Sequence, residues 1–276
     1  MSNLQSNYWP GGLIPIHYYT AGNPCHPPLI FFHGFMGSGY DWLDIIDHFS
    51  TNYHCIAPDL PGHGKTILNR ALRWEDLGKI FNEFIGSISS GGIIGTGYSM
   101  GGRLMLYLAV TFPALFKGLI IESASPGLKT AHERQVRFQQ DQAMAEKLEQ
   151  SHIGNFLEDW YRQPLFFTLR KHPSFNELLR QRKRENPLQL AAALRVMSSG
   201  IQPSLWPDLK NIKVPLLLLA GAADIKYTKL LTSMQKRCSG AQLKIIGKAG
   251  HNTHLENPLV FWEYMSNFLN QTGEKY

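Results

Sequence analysis

Three residues far apart in the chain, Ser99, Asp224 and His251, have the types and settings needed to take a proton from a serine oxygen and return it. Ser99 is the centre of Gly97-Tyr98-Ser99-Met100-Gly101, in a stretch that reads as strand, sharp turn and helix. Glycines on both sides of the serine allow a turn too tight for larger residues, and such a turn leaves the hydroxyl exposed at the end of the strand. A serine hydroxyl is a poor base or nucleophile unless a histidine takes its proton, and that histidine needs a carboxylate to fix its tautomer. Asp224 closes the run VPLLLLAGAAD and His251 follows IIGKAG, so both are expected at strand C-termini on the same edge as Ser99. The plainer interpretation of the pentapeptide is a glycine-rich turn that only packs a helix on a strand. The strand before it and the helix after it argue against that.

Chemistry at a serine also needs donors for the negative charge that develops on oxygen. The backbone N–H of Met100, directly after Ser99, and that of Phe35, in the loop HGFMGS, are the expected pair. Of the eleven histidines, His254 is expected to be structural, and Asp59, in PDLPGHG, to fix a loop. The spacing of His251 and His254 does not match a His-Glu-x-x-His site, so no metal is expected. Arg103 stands out. A cation near the start of a helix opposes the macrodipole at a cost of about 0.3–1 kcal/mol, and helical side chains lean toward the N-terminus, so Arg103 should point back to the serine turn. An anionic group nearby would account for that cost.

These residues need a sheet to carry them. The runs PLIFFHGF, YHCIAPDLPGHG, GGIIGTGYS, FKGLIIESASPG, VPLLLLAGAAD and AQLKIIGKAGH are short and apolar, and several end in glycine, aspartate or histidine, the pattern of buried parallel strands whose C-terminal ends carry function. Helical patterns lie between many of them, including ALRWEDLGKIFNEFIGSI and GGRLMLYLAVTFP. The alternation predicts an α/β layered fold with a mostly parallel sheet. It breaks over residues 129–206, where consecutive helical patterns are punctuated by Pro164, Pro173 and Pro187. This stretch is expected to be a helical cap inserted between two strands of a core formed by residues 1–128 and 207–276.

Composition narrows the function classes. A 276-residue chain with 43% hydrophobic and 17% charged residues has enough apolar material for a large core. Its net charge of +6 suits nucleic acid, an acidic membrane surface or a small anionic substrate. The basic residues between Arg134 and Arg195 are interleaved with acidic ones and form no long run of one sign, which disfavours a nucleic-acid partner. Three widely spaced cysteines form no Cys-x-x-Cys pair, so neither a disulfide framework nor a zinc ribbon is expected. With no signal-peptide pattern and no apolar stretch long enough to span a bilayer, the expectation is a soluble cytoplasmic protein.

The motifs resemble the α/β-hydrolase superfamily over nearly the whole chain. Within it, HGFMGS, PDLPGHG, GYSMGGR, IESASPGL, ERQVRFQQD, FLEDWYRQPLF and AGHNTHLENP together resemble the 2-succinyl-6-hydroxy-2,4-cyclohexadiene-1-carboxylate synthases of menaquinone and phylloquinone biosynthesis. ESASPGL and DWYRQPLF narrow the match. The resemblance implies a lyase that removes a proton from a succinylated, enolpyruvyl-bearing cyclohexene and expels pyruvate, with Ser99 as base and no cofactor. By motif position it implies that Arg103, Arg134 and Arg182 hold substrate carboxylates and that Tyr98 and Trp160 line the pocket. Arg180 and Arg184 flank Arg182 in the same helical run. From the residues alone, an arginine on a cap helix is more often a solvated or salt-bridged surface group, and a tryptophan such as Trp160 is more often interhelical packing. Two further readings stay open: a serine hydrolase acting through a covalent intermediate on an ester, thioester or C–C bond, and a ligand receptor on a retained hydrolase scaffold.

Overall fold

The computed structural model describes residues 4–272. Its centre is a sheet of eight strands, β1 (Gln5–Trp9), β2 (Ile16–Ala21), β3 (Pro28–Phe32), β4 (His54–Pro58), β5 (Ile93–Tyr98), β6 (Phe116–Glu122), β7 (Leu216–Gly221) and β8 (Ala241–Ile246), in the order β1-β2-β4-β3-β5-β6-β7-β8. β3 through β8 run parallel, whereas β1 and β2 are antiparallel additions at one edge. The six parallel strands coincide with the six apolar runs read from the sequence. The edge hairpin does not announce itself there, because QSNYW and IHYYTA mix polar and aromatic residues without a long apolar run.

β5 and β7 are buried at every position. Parallel strands covered by helices on both faces are selected for continuous apolar content, and IIGTGY and LLLLAG supply it. The covering helices are α1 (Leu43–Phe49), α2 (Trp74–Ile88), α3 (Met100–Thr111), α8 (Ile225–Gln235) and α10 (Pro258–Gln271), with the one-turn helix α9 (Thr253–Glu256) before the last. They divide the core into two apolar clusters. One is built around Phe32, Phe81, Phe84 and Leu104, the other around Phe31, Trp42, Phe261 and Phe268. No helix among the described residues is long and apolar enough to cross a membrane.

Between β6 and β7 the chain leaves the sheet and forms four helices, α4 (Ala131–Gln150), α5 (Ile153–Arg162), α6 (Phe175–Arg182) and α7 (Pro187–Val196). Thr130 starts α4 by accepting the Glu133 N–H, while the Glu133 carboxylate returns to the Thr130 N–H. This reciprocal cap satisfies two helix-end donors that would otherwise have no partner. Asn186 and Pro187 start α7 in the same spirit, a side-chain acceptor followed by a residue with no N–H to lose. The four helices have their own apolar cluster, including Leu148, Phe156, Tyr161, Phe166 and Leu190, which meets the core through Met36 and Phe35.

Candidate active site

Ser99 sits between β5 and α3 with φ 49° and ψ −107°, a left-handed turn that a non-glycine residue adopts only when its surroundings force it. The surroundings are packed backbones. A Cβ on Gly97 would lie 2.7 Å from the Gly102 Cα, and one on Gly101 would lie 2.4 Å from the Phe32 carbonyl oxygen. The start of α3 can approach the ends of β5 and β3 this closely only because both positions lack a side chain. The turn is tied by Ser99 N–H donating to the Glu122 carbonyl (2.9 Å) and Gly101 N–H to the His33 carbonyl (3.0 Å).

The three residues singled out for proton transfer lie in one hydrogen-bonded line. His251 Nε2 is 3.0 Å from Ser99 Oγ, and His251 Nδ1 is 2.7 Å from Asp224 Oδ2. An ionised carboxylate only accepts, so Nδ1 carries the proton and Nε2 is left to accept from the serine hydroxyl. Asp224 is oriented in turn by the Tyr227 N–H at the start of α8, 3.1 Å from its second oxygen. His251 and Asp224 are buried, and the rings of Tyr98, Phe166 and Tyr227 surround the imidazole. Phe35 and Met100 border the same cavity as Ser99. Among the described residues the backbone N–H groups of both have no internal acceptor, which leaves them available to an oxyanion. The Phe35 turn is held by His33, whose Nδ1 donates to the Gly34 carbonyl (2.8 Å) while Nε2 accepts from the Leu60 N–H (2.9 Å). Burial lowers the pKa of His33, which favours the neutral form this arrangement requires.

Glu122, which the sequence reading did not single out, joins the serine turn to the histidine loop. Its carbonyl receives the Ser99 N–H. Its fully buried carboxylate receives Thr253 N–H (2.6 Å), Thr253 Oγ1 (2.7 Å), His254 N–H (3.1 Å) and His254 Nδ1 (2.6 Å). His254 stacks on Trp42 with ring centroids 4.3 Å apart. It therefore has the structural setting expected of it.

A cavity of about 410 Å³ opens over Ser99 beneath the four inserted helices. Tyr98, Arg103 and Trp160 line it, as the resemblance implied. The Tyr98 ring is wedged against Gly34, where a Cβ would come within 2.6 Å of it, and burial raises its hydroxyl pKa well above the usual tyrosine range. Trp160 meets Phe35 edge-on at 5.2 Å. Among the described residues Arg103 has no carboxylate partner. Its guanidinium donates to the Met197 carbonyl (2.8 Å) and to Gln202 Oε1 (3.1 Å). Burial, with repulsion from Arg137 added, pushes its pKa down to about 10. The anionic neighbour sought for Arg103 is thus not supplied by the protein's own hydrogen bonds, and the cation borders the cavity.

Two of the arginine expectations need correction. Arg134 does not line the cavity; it donates to the carbonyls of Leu128 (3.3 Å) and Lys129 (3.4 Å) at the start of α4. The arginine that α4 presents to the cavity is Arg137, nearly one turn further along, bridged to Asp141 at 2.8 Å. Arg182 does line the cavity, and it alone of Arg180, Arg182 and Arg184 is buried. However, both its terminal nitrogens are taken by Asp41, at 2.8 and 2.5 Å. Burial disfavours its charge, yet Asp41 more than compensates and holds the pKa above the ordinary arginine range. Its Nε is buried without a partner. Lys226 and Tyr227 also border the cavity and were not anticipated, although they lie two and three residues past Asp224 and could have been found by reading on from it.

Residues 27–258 match the family model described as alpha/beta hydrolase fold, so the chain belongs to that fold family. Within it, the chain belongs to the 2-succinyl-6-hydroxy-2,4-cyclohexadiene-1-carboxylate synthase family. It is 34% identical over 256 residues to the synthase of that name from Serratia proteamaculans, covering 91% of this chain and 96% of the relative. MenH from S. aureus superposes with a TM-score of 0.89 at 32% identity, over 94% of this chain and 98% of that structure. The chain is also 33% identical over 248 residues to the chloroplastic Protein PHYLLO of Arabidopsis thaliana, where the match covers 83% of this chain but only 14% of that much longer protein.

Proposed function

We propose that the chain eliminates pyruvate from 2-succinyl-5-enolpyruvyl-6-hydroxy-3-cyclohexene-1-carboxylate to give 2-succinyl-6-hydroxy-2,4-cyclohexadiene-1-carboxylate, with Ser99 as the base. The ring hydrogen beside the succinyl ketone is the acidic one, because its removal delocalises charge onto the ketone oxygen. Ser99 Oγ takes that proton as its own passes to His251 Nε2, and Asp224 stabilises the imidazolium. The N–H groups of Phe35 and Met100 receive the enolate oxygen. Electrons returning through the ring double bond break the C–O bond to the enolpyruvyl group. It departs with the electron pair, takes up a proton and ketonises to pyruvate.

The observation that carries this reading is Arg103, a half-buried cation bordering the cavity and bonded, among the described residues, to neutral oxygens. A substrate carboxylate would give it the counter-ion it lacks, and the planar fork can hold a carboxylate through two parallel hydrogen bonds. Arg137 and Lys226 add positive charge to the same cavity. Residues 129–206 act as a cap that keeps water from the enolate, residues 1–128 and 207–276 form the catalytic core, and the setting is cytoplasmic. The same serine turn also suits acyl transfer, since an exposed Oγ beside two free N–H groups is the arrangement a covalent intermediate needs. The two readings separate in one assay. Freshly prepared substrate should yield pyruvate and the diene absorbance together, while neutral aryl esters turn over poorly at Ser99. Rapid multiple turnover of neutral esters that depends on Ser99, without pyruvate release from the enolpyruvyl compound, would favour the hydrolase.

A further inference from the structure

A second Ser–His–Asp hydrogen-bond chain crosses the opposite edge of the sheet. Ser6 is on β1, His17 on β2 and Asp59 just after β4, three strands that lie side by side. His17 Nδ1 is 2.7 Å from Asp59 Oδ2, and His17 Nε2 is 2.7 Å from Ser6 Oγ. Asp59 anchors the chain as the loop-fixing residue it was expected to be. Its Oδ1 accepts the Gly39 N–H (2.7 Å) and its Oδ2 the Lys65 N–H (2.8 Å), so with His17 it faces three donors. A carboxylate facing three donors acts as an acceptor, so the His17 proton lies on Nδ1 and Nε2 is left to accept from the serine hydroxyl.

Two further features distinguish this arrangement from a serine that only satisfies a buried ring. His17 and Asp59 are 0% and 1% exposed, whereas Ser6 faces solvent, so the base is shielded and the hydroxyl is accessible. On the other side of Ser6 Oγ lies the Lys65 ammonium at 3.3 Å, itself resting over the Tyr19 ring. A cation there opposes protonation of the serine oxygen and stands where negative charge would form during attack on a carbonyl. The imidazole cannot swing away, because Tyr8 and Tyr19 hold it edge-on at 5.0 and 4.9 Å.

We propose that Ser6 is an acyl-acceptor site for activated acyl esters, namely aryl esters and thioesters. Its Oγ forms a bond to the carbonyl carbon as its proton passes to His17 Nε2, and Asp59 holds the resulting imidazolium. The tetrahedral oxygen faces Lys65. Collapse breaks the bond to the aryloxide or thiolate, which leaves with the electron pair and recovers the proton from His17. Ser6 lies on an extended strand and outside the cavity over Ser99, with nothing built to aim a hydrolytic water. The acyl group therefore remains as a modification.

The test uses the folded Ser99→Ala protein treated with p-nitrophenyl acetate, with acetyl occupancy at each serine followed by peptide mass spectrometry. Ser87 serves as the internal reference, an exposed serine whose hydroxyl donates only to the Phe84 carbonyl. Ser6 should acetylate about 100-fold faster than Ser87, the lower end of what a positioned general base supplies, and the label should vanish from that peptide in Ser6→Ala/Ser99→Ala. His17→Asn, or Lys65→Met if the buried substitution prevents folding, should slow Ser6 acetylation about tenfold or more. Equal rates at Ser6 and Ser87, acetyl on Lys65 or Tyr8 in place of Ser6, or a rate unchanged by these substitutions would overturn the proposal.

Discussion

The molecule contains two Ser–His–Asp chains with nearly the same hydrogen-bond lengths and very different settings. Ser99 lies 3.0 Å from its histidine and Ser6 lies 2.7 Å from its own, while both histidines are 2.7 Å from their aspartates. Among the described residues, the chain through Ser99 ends at a strained turn with φ 49°, beside two backbone N–H groups with no internal acceptor and under a cavity bordered by a guanidinium that has no carboxylate partner. The chain through Ser6 ends on a regular strand at the sheet edge, with a single lysine as its cation. The base and its carboxylate are common to both, so they cannot by themselves define a site for turnover. The strained turn, the two N–H groups beside it and the enclosed cavity with its cation are what the edge site lacks.

Breaking the first chain should have the largest effect. Ser99→Ala is expected to lower kcat for pyruvate elimination by about 10³-fold or more, and Asp224→Asn and His251→Ala by comparable factors. Glu122→Gln tests whether the clamp between the serine turn and the histidine loop is needed. It weakens four hydrogen bonds to one buried carboxylate, and kcat should fall about 10- to 100-fold with KM nearly unchanged, as expected when reacting groups shift by less than an ångström or so. Arg103→Ala should lower kcat/KM about 10- to 100-fold by removing a charge-assisted contact, and Arg103→Lys should recover only part of the loss if the fork matters.

Smaller effects sharpen the contrast further. Asp41→Ala leaves Arg182 buried and unpaired, and should cost about 3–5 kcal/mol of stability in denaturant titration, whereas Asp41→Leu/Arg182→Met should regain most of it. Arg134→Ala should change kcat/KM less than about threefold, since the guanidinium lies outside the cavity and, among the described residues, donates to the Leu128 and Lys129 carbonyls. The same substitution at Arg137, which borders the cavity, should exceed that. Ser6→Ala should leave pyruvate elimination unchanged.

The hydrogen-bonded line through Ser99, His251 and Asp224 was legible in the sequence because each member sits at the C-terminal end of an apolar run, and parallel strands bring such ends to one edge. The parallel strands and the inserted helices were legible for the same reason, since their signals are local. What escaped were relations that only packing creates. Arg134 and Arg137 are three residues apart on one helix, and the choice between them depends on how α4 turns over the cavity. The pairing of Asp41 with Arg182 spans 141 residues and leaves no trace in either segment. Ser6 and His17 sit in a hairpin whose mixed composition hides both the strands and the register that joins them. Glu122 could have been suspected as a charged residue closing an otherwise buried strand, a placement that always requires partners.

The most direct test of the central claim is single-turnover pyruvate release from freshly prepared 2-succinyl-5-enolpyruvyl-6-hydroxy-3-cyclohexene-1-carboxylate, comparing the unaltered protein with Ser99→Ala at saturating enzyme. Pyruvate and diene should appear together in the unaltered protein and be slowed by about 10³-fold or more in the variant, with substrate binding retained through Arg103. Release from Ser99→Ala at a near-normal rate would show that the serine oxygen is not the base.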